Sequence, residues 1–244
     1  MLNDTWQQKI GVIVPSWNTV MEYETQRLAA MRDAGNSGGT GASVHAMRIA
    51  HTADSEENLI GLSTQAPDAA RLLAHAKMNV IGYGYTASGF LHTPAEDQAL
   101  ATRISAETGI PCATSSRAIV NGLRALGTKK LSLASPYAPW LNERLKQYLT
   151  ADGFEVLAMQ GLSTEAHSTI TRERILALVD EVVRPDTQAI FISCSNFRTL
   201  DIIASVEQQY GLPVVTSNAA MMWAMLRLMN DKRDVPGAGR LFKL

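Results

Sequence analysis

The residues best able to do chemistry in this chain lie together at Ser193-Cys194-Ser195-Asn196. They follow an apolar, partly β-branched run at 189–192 that reads as a buried strand, and 197–210 then reads as a helix. A thiol delivered by a strand into a tight turn at a helix start lies at the carboxyl edge of a sheet. There, turn N–H groups and the helix dipole favour a thiolate or a bound anion. The competing reading is a small buried hydrophobe, the commonest fate of a free cysteine. This stretch alone leaves both open.

The elements that must position this thiol alternate along the whole chain. Strand patterns fall at 10–14, 43–49, 80–83, 111–114, 130–134, 154–159, 189–192 and 212–216. Helical patterns fall at 19–31, 56–77 (despite Pro67), 94–108, 116–126, 139–150, within 167–183, at 197–210 and at 219–229. The glycine-rich stretch 33–41 reads as an exposed, mobile loop. A repeat runs through this order. Gly109-Ile110-Pro111-Cys112-Ala113-Thr114-Ser115 matches Gly211-Leu212-Pro213-Val214-Val215-Thr216-Ser217, and Pro15, Glu22 and Leu28 match Pro136, Glu143 and Leu149. The pattern predicts an α/β fold of two similar Rossmann-like (flavodoxin-like) lobes, each with a mainly parallel sheet, related by a pseudo-two-fold axis. The expected division is 1–115, then 116–219, with 220–244 packing back on the first lobe. The active site is expected at the interface, where the carboxyl ends of both sheets meet.

Four strand exits would converge there: Pro15, Ser16 and Asn18; Tyr85, Thr86 and Ala87; Ser135 to Tyr137; and Cys194, Ser195 and Asn196. Small hydroxyl residues and turn N–H groups suit a carboxylate or an enediolate. An acid or base on each side of such a pocket would let a cofactor-free racemase work on both faces of a carbon. Here one half carries a thiol and Tyr85 stands where its mate would be. A phenol is too weak an acid to replace a thiol readily, so protonation of a carbanion from one side is the reading. Each supporting residue has a structural alternative. Asn18 and Thr86 could cap helices, Tyr137 could be a packing tyrosine, and His167 could be a surface or cap residue. Cys112, inside a strand, reads as core, as does the Met221-Met222-Trp223-Met225 cluster.

Composition narrows the partners. The chain has 244 residues, 46% of them apolar and 18% charged, and a formal net charge of −1. A clustered basic footprint for nucleic acid is missing, as is an apolar run long enough to span a membrane or a signal-peptide core. Two cysteines and five scattered histidines provide neither a disulfide framework nor metal-ligand spacing. The expectation is a cytoplasmic protein with no metal and no cofactor, acting on a small carboxylic acid; a homo-oligomer is left open.

At these residues the chain resembles the aspartate/glutamate racemase superfamily, within it the arylmalonate decarboxylase and maleate cis-trans isomerase group, over nearly its whole length. Ile10-Gly11-Val12-Ile13-Val14-Pro15-Ser16-Trp17-Asn18-Thr19-Val20-Met21-Glu22 resembles the isomerase opening, whose asparagine contacts a substrate carboxylate. Val235-Pro236-Gly237-Ala238-Gly239 is also isomerase-like. Closer to the decarboxylase are Asn121-Gly122-Leu123-Arg124-Ala125-Leu126-Gly127, Asn142-Glu143-Arg144-Leu145, Ser193-Cys194 with Thr199-Leu200-Asp201, and Pro213-Val214-Val215-Thr216-Ser217. The resemblance implies that Cys194 protonates an enediolate or serves as the second catalytic cysteine of an isomerase. It also implies that Tyr137 and Thr86, with the N–H groups of Ala87 and Ser195, bind the retained carboxylate. Tyr85 replaces the first cysteine of the isomerases and a glycine of the decarboxylase, Ala87 lacks the decarboxylase's hydroxyl, and His167 replaces a small apolar or amide residue. These departures point to a decarboxylase of a malonate-type diacid with an unsaturated or polar substituent, its departing carboxylate in a less polar pocket. The alternatives are an isomerase, racemase or tautomerase of a small acid, and a non-catalytic diacid-binding protein.

Overall fold

The computed structural model describes residues 8–35 and 41–244; most of the predicted glycine-rich loop, at 36–40, lies outside the described residues. Strands β1 (Gln8–Pro15), β2 (Ala42–Ile49), β3 (Val80–Tyr83) and β4 (Cys112–Thr114) form a parallel sheet in the order β2-β1-β3-β4. Strands β5 (Lys130–Ser135), β6 (Glu155–Gly161), β7 (Ala189–Ile192) and β8 (Val214–Thr216) repeat it as β6-β5-β7-β8. The central strands are buried throughout or nearly so, because helices cover both faces of a parallel sheet; their continuous apolar runs follow from that.

Those helices are α1 (Met21–Ala34), α2 (Glu56–His75), α3 (Thr86–Leu91), α4 (Pro94–Thr108) and α5 (Ser115–Ala125) in the first half. The second half supplies α6 (Pro139–Ala151), α7 (Arg172–Val182), α8 (Ile203–Tyr210) and α9 (Ser217–Leu228). The chain is thus an α/β fold of two lobes, as the repeat predicts. Among the described residues no helix is long and apolar enough to cross a membrane.

The repeated motif has a physical meaning at both of its copies. Gly109 and Gly211 end α4 and α8 in the left-handed conformation, φ 71° and 67°, which a residue with a Cβ adopts only at a cost. Thr114 and Thr216 then cap α5 and α9 by accepting the N–H of Arg117 and of Ala219. The following serines brace the turns that end the neighbouring strands: Ser115 Oγ lies 2.9 Å from Thr86 Oγ1, and Ser217 Oγ accepts the Cys194 N–H at 3.0 Å. The last helix also reaches back to the first sheet, where Gly82 lets Met221 and Met225 of α9 pack directly on β3.

One predicted element is corrected. No helix begins at Phe197; Leu200–Ile202 is a single 3-10 turn and α8 starts at Ile203. The 3-10 turn is tied instead to the other lobe. Glu24 of α1 is buried, and its Oε1 accepts the N–H of Thr199 at 2.8 Å and of Leu200 at 2.9 Å, while Oε2 accepts from Asn218 Nδ2 at 2.7 Å. Burial pushes this carboxyl above its usual range, and the bonds from Leu200, Asn218 and Thr199 draw it back. Removing the carboxylate strands two buried N–H groups, each costing about 1–3 kcal/mol. Glu24→Ala is therefore expected to lose roughly 2–4 kcal/mol in urea unfolding, with Glu24→Asp intermediate. A loss below about 1 kcal/mol would show that the seam does not rely on this residue.

Candidate active site

Six strand exits, three per lobe, line a narrow cleft at the seam. The first lobe provides Pro15, Trp17 and Asn18 after β1, His51 and Asp54 after β2, and Tyr85, Thr86 and Ala87 after β3. The second provides Tyr137 after β5, His167 after β6, and Cys194, Ser195 and Asn196 after β7. Leu59 of α2 closes one side. Ten of the eleven residues singled out in the sequence line this cleft.

The exception is Ser16, which stands behind the wall. Its Oγ accepts the His51 N–H at 3.1 Å and donates to the His51 carbonyl at 3.3 Å, so it fixes the loop after β2. Its hydroxyl is consumed by the backbone.

Cys194 is the sharpest point of the site. Its φ of 109° is a region that residues with a Cβ rarely occupy, and holding it there costs on the order of 1–3 kcal/mol. The turn is over-determined by the Ser193 N–H to the Ala134 carbonyl, the Cys194 N–H to Ser217, and the Phe197 N–H to the Cys194 carbonyl. Because α8 begins nine residues further on, its dipole does not serve this thiol. Two local groups do. The Asn196 N–H donates to Sγ at 3.4 Å, and His167 Nδ1 lies 3.5 Å from Sγ. Burial opposes charge on the His167 ring, but the sulfur's negative charge and hydrogen bond, with Asp54 adding, push it up to about 9. The thiol and imidazole thus stand within hydrogen-bonding reach of one another, the geometry an acid–base pair requires.

The anion-binding side is built from both lobes. Asn18 fills both of its readings: Oδ1 accepts the N–H groups of Val20 and Met21 at the start of α1, and Nδ2 donates to Ser195 Oγ at 3.0 Å. Asn196 Oδ1 accepts the Thr19 N–H at 3.1 Å, a second stitch across the seam. Tyr137 is buried, and burial followed by the nearby Cys194 charge pushes its phenol well up, so it stays a neutral donor. Ser193 Oγ donates to it at 3.5 Å. Thr86 opens α3 with its hydroxyl against Ser115.

Tyr85 cannot act as the missing mate of Cys194. Its Oη donates to the Ile49 carbonyl at 3.1 Å, its ring stacks on Tyr83 at 5.3 Å, and burial pushes its phenol up. Cys112 sits in β4, outside this cleft, and burial pushes its thiol up to about 12.

The sequence reading missed Trp17, His51, Asp54 and Leu59 as lining residues. The expected less polar compartment is thus only partly present: Trp17, Leu59 and Tyr85 are apolar walls, but His51 and Asp54 interrupt them. The signal was topological. The exit of β2 is equivalent to that of β6, which carries His167, and so had to face the same cleft.

The two-lobe parallel α/β fold thus brings a cysteine–histidine pair to the seam of its lobes. The match to known proteins is specific. Residues 11–242 fit the family model of arylmalonate decarboxylase, and the chain belongs to that family. It is 36% identical to arylmalonate decarboxylase of Bordetella bronchiseptica over 181 residues, 72% of this chain and 75% of that protein. It is 29% identical to maleate isomerase of Geobacillus stearothermophilus over 244 residues, 96% of each chain. The crystal structure of Nocardia farcinica maleate cis-trans isomerase with a covalently bound succinylcysteine intermediate superimposes with a TM-score of 0.91. That match has 25% identity and covers 97% of this chain and 98% of the other.

Two outcomes test this geometry. Glycine relieves the backbone at 194 while alanine does not, so Cys194→Gly should be about 1 kcal/mol more stable than Cys194→Ala in thermal unfolding. The His167 ring, followed by NMR, should titrate near pH 9 and fall towards its ordinary value of 6.5 in Cys194→Ala. Since the folded value is the raised one, the stability His167 contributes is complete below about pH 6.5 and is lost as pH rises through about 9. A midpoint unmoved by Cys194→Ala would break the pair.

Proposed function

We propose that the chain is a cofactor-free decarboxylase of a substituted malonate-type diacid. The observation that carries this reading is one thiol–imidazole pair in the cleft, with a fixed tyrosine in place of a second acid. Asn18, Thr86 and Tyr137, with the N–H groups of Ala87 and Ser195, would hold the retained carboxylate. The departing carboxylate would lie against Trp17, Leu59 and Tyr85. Breaking the C–C bond releases CO₂ and leaves its electron pair on the α-carbon as an enediolate, whose oxygens the neutral donors stabilise. Cys194 then gives its proton to that carbon from one face, and the resulting thiolate is stabilised by the Asn196 N–H and by His167. Solvent restores the proton through His167. A 1,1-proton transfer between both faces of the carbon would need a second acid that Tyr85, bound to Ile49, does not provide.

A second reading rests on the same pair. A thiolate next to an imidazolium is also a nucleophile, and a maleate isomerase relative carries a succinyl group on cysteine. Here Cys194 alone would add to the double bond of an unsaturated diacid, allow rotation, and be eliminated.

Incubation with phenylmalonate and vinyl-substituted malonates should release CO₂. Tyr137→Phe should lower kcat by roughly a hundredfold, as for other oxyanion donors, and Cys194→Ala should abolish protonation at the defined face. No CO₂ across the panel, with maleate converted to fumarate through an adduct on Cys194, would instead establish the isomerase.

A further inference from the structure

Of two further polar side chains in the cleft, His51 has no part in the chemistry above and Asp54 enters it only through its charge on His167. His51 and Asp54 lie on the loop after β2, and the His51 side chain is 4% exposed. Its Nε2 stands 3.0 Å from the Ala53 carbonyl and 3.2 Å from Asp54 Oδ1, which fixes the ring's direction and places the proton on that nitrogen. Its Nδ1 is buried and has no partner within the protein. The rest of the residue is fixed too: the Trp17 indole meets the ring edge-on at 4.6 Å, and Ser16 holds the backbone. A fold that buries a ring nitrogen without a partner gives up the hydration of that atom. On the wall of a ligand cleft, such an atom is a contact prepared for the ligand.

His51 does not belong to the acid–base pair. Its Nε2 is engaged by Ala53 and Asp54, and the thiol's partner is His167. Nor does it suit the departing carboxylate, because a polar partner there would stabilise the charge that decarboxylation must remove. What remains is the group on the α-carbon. We propose that His51, oriented by Asp54, is a specificity-determining residue that recognises an oxygen-bearing α-substituent of the diacid. This rests on the reading that the Cys194 cleft is the diacid site. With the ring proton on Nε2, Nδ1 accepts a hydrogen bond from a hydroxyl. Hydrocarbon substituents leave it bare.

The test compares two malonates of similar shape, hydroxymalonate and methylmalonate, by calorimetric Kd and by CO₂ release, on the full chain. The wild type should bind the hydroxy acid at least about tenfold more tightly, the usual weight of one buried polar contact. His51→Leu should erase that preference, with the loss falling on the hydroxy acid; His51→Gln should retain part of it. Asp54→Asn, which leaves the ring in place but frees its direction, should weaken the preference and so covers a poorly folding leucine variant. Equal affinity of the wild type for both acids, or an equal loss for both in His51→Leu, overturns the inference. A binding preference without CO₂ release supports the role of His51 while removing the decarboxylase reading.

Discussion

The structure depends on a grip exerted across the seam. A buried carboxylate of the first lobe, Glu24, takes the two N–H groups of Thr199 and Leu200 at the 3-10 turn that follows the Cys194 loop. Asn18 and Thr19 add bonds to Ser195 and Asn196. The turn bearing the thiol therefore belongs to one lobe by chain and to both by hydrogen bonding. The bonds that hold the backbone of Cys194 at a positive φ come from Ala134 and Ser217 of its own lobe, and those from the first lobe fix Ser195 and Asn196 beside it.

From this follows the way the thiol is tuned. A helix N-terminus would stabilise a thiolate through a field spread over a turn of N–H groups. Here the same service comes from one N–H and one imidazole, both at contact distance. The difference matters for proton transfer. A helix dipole cannot take up or release a proton, whereas His167 can, and so the sulfur is coupled to a group able to restore its proton after each turnover.

The duplication supplies the frame and its asymmetry supplies the chemistry. Equivalent serines, Ser115 and Ser217, brace equivalent turns, but one turn presents Thr86 at the head of a helix and the other presents Cys194 in a strained loop. A symmetric pocket would carry an acid on each face of the substrate. This one carries an anion cradle on one side and an acid on the other, with Tyr85 immobilised by the Ile49 carbonyl. The two histidines add a third distinction, since one meets the thiol and the other leaves its Nδ1 without a partner within the protein.

The eight strands, seven of the nine described α-helices, the doubled order and most of the lining were legible in the chain, because they rest on local patterns. Apolar runs give buried strands, and the Gly-x-Pro-x-x-Thr-Ser motif sets a left-handed cap, a strand and a helix cap wherever it occurs. The two helices misread are instructive. The short α3 was taken for a loop, being too brief to show periodicity. The start of α8 falls six residues later than the local pattern predicts, and the segment before it is bonded to Glu24, 175 residues away in sequence from Thr199. His51 and the pairing of His167 with Cys194 escaped for a related reason: side chains far apart in the chain meet only when the sheets face each other. Local sequence determined the elements and their caps. The tertiary structure alone decided which polar atoms would find partners across the seam, and so what the thiol can do.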